Sequence, residues 1–325
     1  MHRGLALCRT LLLLVLLSLS AQSMAATGLE ALFEQDRRLA SVAAPLLRAN
    51  ATLCPAQMPL TGMILHSRDQ YGGDWAEPLF TQGQLAIAQV LPESAAASAG
   101  LQSGDGVTTI AGQQPTAAGA TLREAALALL ASQWRAGDSL LLQIVRDGAP
   151  RSALLHPPAA CLALVEIGTD GDMSAKTDGH IIRVPQRLAE AATDAELAVI
   201  VAHELGHVVL QHRLRLQAAD IKKGLLGELG RNRRLIRQAE EEADRVSVHL
   251  LANAGYDPAS APAFWRSKLG RRVGGGLLRH RAYPAPGRRA ELLESEIADH
   301  LDSAAPFHPA EHLVTLRTRP IGTDD

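Results

Sequence analysis

The residues His203-Glu204-Leu205-Gly206-His207 bring two imidazoles and a carboxylate together within five positions. On a helix, side chains four apart share a face with Cβ atoms about 5–6 Å from each other, so both imidazoles can reach one ion. Glu204 lies about 100° round from His203, close enough to touch a water beside that ion without ligating it. The surrounding residues predict such a helix. Thr193-Asp194-Ala195-Glu196 is a capping box, and Leu197, Ile200, Val201, Leu205, Val208 and Val209 form an apolar side. Zinc is the expected ion, one per chain, with His203 and His207 as ligands and Glu204 as general base.

A catalytic zinc site takes three protein ligands and leaves one position for water, so a third ligand is needed. A pattern with Gly at 210 and His at 213 is excluded, because Leu210 and Arg213 stand there. A second predicted helix runs from Ala239 to Leu251 and stops at Gly255, with Pro258 beyond. Its residues Glu240, Ala243, Asp244 and Ser247 share one face, and the small ones let the two helices approach closely. Glu240 then completes a His, His, Glu set. Glu241 and Glu242 are expected on a solvated face. Asp244, one turn after Glu240, is placed to orient a ligand imidazole by accepting its N–H.

Taken in order, His203 to His207, Glu240-Glu241-Glu242-Ala243-Asp244 and Ala254-Gly255-Tyr256-Asp257-Pro258 resemble the metallopeptidase family of the CAAX prenyl proteases, HtpX and BepA. The resemblance spans about residues 162–300. It implies a gluzincin fold, zinc, peptide-bond hydrolysis and Glu240 as third ligand. His212 matches a common family position and is read as structural or as a support to the ligands. Two departures stand out. Ser247 occupies a position that is often Gly, and Tyr283-Pro284, followed by Arg289, stands where relatives show His-Pro. If that His assists catalysis in relatives, Tyr283 is its expected replacement, donating to the oxyanion of the tetrahedral intermediate, with His280 as a nearby substitute.

Between Cys54 and Cys161 the pattern changes to alternating strands at 84–90 and 140–145, punctuated by Gly, Pro and Asp. Ser94 to Leu101 leads into Gly104-Asp105, Val107 to Gly112 alternates, and Thr121 to Ser132 reads as a helix. These features resemble a bacterial protease-associated PDZ domain over about residues 60–158, with Ala95 and Ala111 where Pro and Asn are usual. The resemblance implies capture of a C-terminal peptide as an added strand along Gly83, Gln84, Leu85, Ala86 and Ile87. The alternative is a spacer with no open groove.

The elements that must position this chemistry belong to a chain of 325 residues, 47% hydrophobic and 20% charged, with room for about two domains. The balance of 32 Lys+Arg against 34 Asp+Glu, net -2, offers no basic excess for nucleic acid. Aromatics at 3% favour Ala/Leu/Val/Ile-packed helices. Arg3 and Arg9 before Leu11 to Leu19, with Ser23-Met24-Ala25 after, read as a signal peptide, and no later segment is apolar enough to span a membrane. Export to the bacterial periplasm and a mature chain without a membrane span are expected. In that oxidising compartment Cys54 and Cys161 should form a disulfide.

The expected fold is α+β and mainly helical, a zincin domain plus a small PDZ-like β-rich domain. The expected organisation is a signal peptide at 1–26, an amphipathic helix at 27–53 kinked or interrupted at Pro45, and the PDZ-like unit at 54–161. The peptidase unit follows at 162–315, with a polar tail at 316–325. The expected function is a secreted zinc endopeptidase acting on misfolded or unassembled envelope proteins. A zinc-containing chaperone or binding module, and an amidase acting on cell-wall peptides, are the competing readings.

Overall fold

The computed structural model describes residues 30–74, 76–169, 171–221, 231–274, 284–302 and 304–322. The expected signal peptide, His280 and Tyr283 lie outside the described residues. The described residues open with α1, a helix over 30–49. Pro45 sits on its exposed side and does not end it. Leu39, Val42, Ala43, Leu46 and Leu47 are buried in one core with the helices of the downstream half. Asn50 at its end is fully buried and donates to the Leu46 and Leu250 carbonyls.

Next come β1 (Gln57–Pro59), β2 (Met63–Ser67), β3 (Leu85–Val90), α2 (Ala95–Ser98) and β4 (Gly106–Ile110). They are followed by α3 (Leu122–Gln133), β5 (Leu140–Arg146), β6 (Ala149–Leu155) and β7 (Ala159–Cys161). Strands β2 to β6 form one sheet in sequence order, every neighbouring pair antiparallel. Its apolar face, with Leu65, Leu85, Ile87, Ile110, Leu140, Leu142, Ile144 and Leu155, packs with Ala126 and Leu130 of α3. A capping box between Thr121 and Glu124 starts that helix. β1 and β7 pair separately at the base, beside a Cys54–Cys161 disulfide with Cα atoms 5.4 Å apart. The expected cross-link is therefore present.

The sheet order corrects the expected peptide groove. β3 pairs with β2 on one side and β4 on the other, and Leu85, Ala86 and Ile87 are at most 2% exposed. An added strand needs a free edge, and residues 85–87 have none. The edges are β2 and β6. Arg123 of α3 donates from Nε to the Leu65 carbonyl of β2 and pairs with Glu166.

The downstream half starts with β8 (Leu164–Gly168), β9 (Lys176–Thr177) and β10 (Ile181–Pro185), where β10 runs parallel to β8 and antiparallel to β9. Helices α4 (Gln186–Ala191), α5 (Asp194–Val209), α6 (His212–Ala218), α7 (Arg231–Asn253), α8 (Ser260–Arg266) and α9 (Lys268–Val273) follow. The chain closes with α10 (Pro286–His300) and α11 (Glu311–Val314). The fold is α+β: β-rich up to residue 185 and helical beyond. α5 is buried almost throughout and packs along α7. Its Gly206 makes that approach possible, because a Cβ there would lie 2.8 Å from Val246 Cγ1 and 2.9 Å from the Ala243 carbonyl oxygen. The expected polar tail is docked as far as residue 322, with Ile321 packed on Leu235 and Ala239.

Candidate metal centre

The capping box that starts α5 is formed as the sequence predicts: the Thr193 side chain accepts from Glu196 N–H, and the Glu196 carboxylate accepts from Thr193 N–H. It fixes the phase of a 16-residue helix whose apolar residues point into the core, which leaves His203, Glu204 and His207 along a cleft of about 640 Å³. Glu240 of α7 meets them there. His203 Nε2 and His207 Nε2 are 3.3 Å apart, His203 Nε2 lies 3.3 Å from Glu240 Oε2, and His207 Nε2 lies 3.5 Å from Glu240 Oε1.

A tetrahedral ion with bonds of about 2.0–2.1 Å holds its ligand atoms about 3.3–3.4 Å apart. The three distances match that edge, and His203, His207 and Glu240 form a group that could hold a metal. Burial and neighbouring charges shift the three groups in different directions. Burial pushes the His207 imidazole well below its usual value. For His203, burial and Arg289 pull down, but bonds to Asp244 and Glu240 raise the imidazole to about 9, a proton that a cation between the three would displace. Glu240 is held below the usual carboxylate range: burial opposes this, but His203, His207 and Arg289 outweigh it.

Asp244 is buried and stands 3.0 Å from His203 Nδ1, the position expected for it. Its charge is matched by Arg289 of α10, which donates from Nε and Nη2 at 2.6 and 2.5 Å and lies 3.5 Å over the Trp265 ring. Arg289 Nη2 is also 3.8 Å from Glu240. A fully desolvated guanidinium is tolerable only with such partners.

Glu242 departs from expectation. It is 5% exposed, not on a solvated face, and its carboxylate accepts from His212 Nε2 at 2.9 Å, Arg215 Nη1 at 2.5 Å and Gln238 Nε2 at 2.8 Å. His212 Nδ1 in turn lies 2.8 Å from His207 Nδ1. The missed signal was the register of α7: Leu235, Ala239, Glu242 and Val246 recur at four- and three-residue spacing, so Glu242 stands in an apolar stripe. Arg215 carried no motif at all.

A second group, His249, Glu296 and His312, could also hold a metal by proximity. Its contacts are those of hydrogen bonds: both His Nε2 atoms lie 2.8 Å from Glu296 Oε1, and Arg245 donates to Oε2 at 2.6 Å. His249 Nδ1 is buried with no hydrogen-bond partner. Ligation through Nε2 would put a proton on that orphan atom, whereas donation from Nε2 to Glu296 leaves it only a lone pair.

No family model matches the chain. Over 136 residues it is 31% identical to the mitochondrial metalloendopeptidase OMA1 of Arabidopsis thaliana, covering 35% of this chain. The chain spans 27% of the length of that relative. Among solved structures, an HtrA-type protease, AlgW with decapeptide, matches with a TM-score of 0.26 at 21% identity, over 32% of this chain and 30% of that one. Over the shared part, the chain is a distant homologue of a metalloendopeptidase, and it carries a His203, His207, Glu240 group able to hold a metal.

Proposed function

We propose that the protein is an exported, zinc-dependent endopeptidase that hydrolyses peptide bonds in misfolded or unassembled envelope proteins. The observation that carries this reading is the triangle of His203 Nε2, His207 Nε2 and Glu240 oxygens at 3.3, 3.3 and 3.5 Å, with Glu204 lining the same cleft. The imidazole-and-carboxylate donor set suits zinc. The distant OMA1 homology supports the reaction class. The disulfide supports an oxidising compartment, and among the described residues no helix is long and apolar enough to cross a membrane.

In this reading His203, His207 and Glu240 hold the ion. When bound, zinc polarises the scissile carbonyl and lowers the pKa of water toward neutrality. Glu204 accepts the proton of the attacking water and returns it to the leaving amine. Its placement in a buried wall limits competing solvent. Asp244 fixes the His203 ring by accepting from Nδ1, and Arg289 pairs with that carboxylate from its other side. Tyr283 donates a hydrogen bond to the oxyanion that develops on the scissile carbonyl. An extended substrate would pair along β9, the edge strand on the cleft side, whose Lys176 and Thr177 line the cleft. β10 is paired on both sides and offers no free edge.

A binding module with structural zinc has no use for Glu204 in the cleft. The deciding experiment is cleavage of unfolded casein by the purified protein, with and without a chelator, beside Glu204→Gln. Chelator-sensitive cleavage that falls by at least about 10²-fold in the zinc-loaded Gln variant is expected, since a positioned general base contributes about 10²–10⁴-fold. Unchanged cleavage in a zinc-loaded Gln variant would refute the mechanism.

A further inference from the structure

We infer that His212 and Glu242 are positioning residues that set the proton on His207 and so tune the affinity of the site for its ion. The inference rests on the zinc reading above. It starts from the 2.8 Å contact between His207 Nδ1 and His212 Nδ1. Such a contact needs one N–H and one lone pair. If His207 offers its Nε2 lone pair to the ion, its proton is on Nδ1, and His212 Nδ1 is the acceptor. The proton of His212 is then on Nε2, where it donates to Glu242 Oε2 at 2.9 Å. The Glu242 carboxylate also accepts from Arg215 Nη1 and Gln238 Nε2, which hold it in place.

The opposite assignment fails at both ends. It would put the proton of His207 on Nε2, pointing at His203 Nε2 and Glu240, where the ion belongs. It would also turn a His212 lone pair toward a carboxylate oxygen at 2.9 Å. The chain therefore has one direction: His207 Nδ1–H to His212, His212 Nε2–H to Glu242.

The backbone is shaped for this contact. In an unbroken helix His212 would stand about 140° from His207. α5 instead ends at Val209, and Gln211 adopts a left-handed conformation with φ 53° before α6 begins. That break brings His212 back onto the ligand. A non-glycine residue in this region stores strain, which such sites retain where the surroundings enforce it. His212, Arg215 and Glu242 are all at most 6% exposed, so the chain is shielded from water. The two ligand imidazoles are thus supported differently: His203 directly by the Asp244 carboxylate, His207 through a neutral imidazole.

The test is zinc affinity by chelator competition on the full mature chain, with the melting temperature of the zinc-free protein measured alongside. His212→Ala should weaken zinc about 10- to 100-fold, the usual loss for such supports. His212→Gln, whose amide oxygen can accept from His207 and whose amide N–H can reach Glu242, should recover most of it. Glu242→Gln, which keeps a hydrogen-bond acceptor but not the charge, should fall between, and it serves if the Ala variant does not fold. In the zinc-loaded protein, ¹⁵N imidazole spectra should show His207 protonated on Nδ1 and His212 on Nε2. Glu240→Ala is the control: if it loses zinc while the His212 and Glu242 variants bind within twofold of wild type, the relay is wrong and the zinc site stands. Swapped tautomers would overturn the relay equally. Wild-type protein that binds no zinc would overturn the zinc reading and the relay with it.

Discussion

Replacing Gly206 with alanine probes the seam on which the whole site depends. The added Cβ would lie 2.8 Å from Val246 Cγ1, 2.9 Å from the Ala243 carbonyl oxygen and 3.3 Å from Ala243 Cα. Two of these contacts are with backbone of α7, which cannot turn aside as a long side chain can. α5 and α7 must separate by roughly 0.5 Å or more to restore normal contact distances, about 3.5–4.0 Å between carbons. Overpacking of this kind costs about 1–3 kcal/mol. The helix-propensity gain of Gly to Ala returns up to about 1 kcal/mol. The net expectation is a loss of about 0–3 kcal/mol in stability. Function should suffer more, because His203 and His207 move on one helix and Glu240 on the other, opening a triangle whose edges are now 3.3–3.5 Å. A misplacement approaching 1 Å costs about 10²-fold in rate. Chelator competition, casein cleavage and urea denaturation on the same preparation read all three quantities. An alanine variant with wild-type zinc affinity and turnover would refute the claim that close approach at Gly206 sets the site.

Three further outcomes follow from other parts of the fold. Cys54→Ser with Cys161→Ser opens a loop with a sequence separation of 107 residues, for which the chain-entropy model sets an upper value of about 4.7 kcal/mol; denaturant midpoints in the pair of variants should fall, and an unchanged midpoint contradicts a stabilising cross-link. Acid should unfold the protein in a window set by Glu242 and Glu296, whose folded pKa values are each lowered to about 2 from 4.5: burial opposes the shift, but hydrogen bonds from His212 and Arg215, and from His249 and Arg245, outweigh it. Both folded values lie below the unfolded ones, so the stability these groups contribute is complete above about pH 4.5 and is lost as pH falls toward 2. Urea midpoints against pH should show that decline, shallower in Glu296→Gln; equal slopes would remove Glu296 from the account. Glu241→Ala should leave zinc content unchanged, because a helix aims only one of three consecutive side chains at a fixed ion; zinc loss equal to that of Glu240→Ala would undo the register assigned to α7.

The sequence by itself determined what depends on neighbours along the chain. The Thr193 capping box, the four-residue spacing of His203 and His207, and the shared face of Glu240 and Asp244 all express the period of a single helix, and each side chain stands where that period puts it. Cys54 and Cys161 paired, as two thiols in an oxidising compartment do when the fold brings them together. Tertiary structure decided what depends on partners far away in sequence. Alternation over residues 84–90 reads as a strand, but only the pairing of β2 and β4 on either side makes it an inner one and removes the expected groove. Three consecutive glutamates look alike in a sequence until α6 packs beside α7 and gives Glu242 an imidazole and a guanidinium. The placement of His212 needed a break in the helix at Gln211, a residue with no sequence signal for a left-handed turn. Periodicity is a local property of a backbone, whereas burial of a charge is settled by whichever element supplies its counter-charge, and for Glu242 and Asp244 those elements are 27 and 45 residues away.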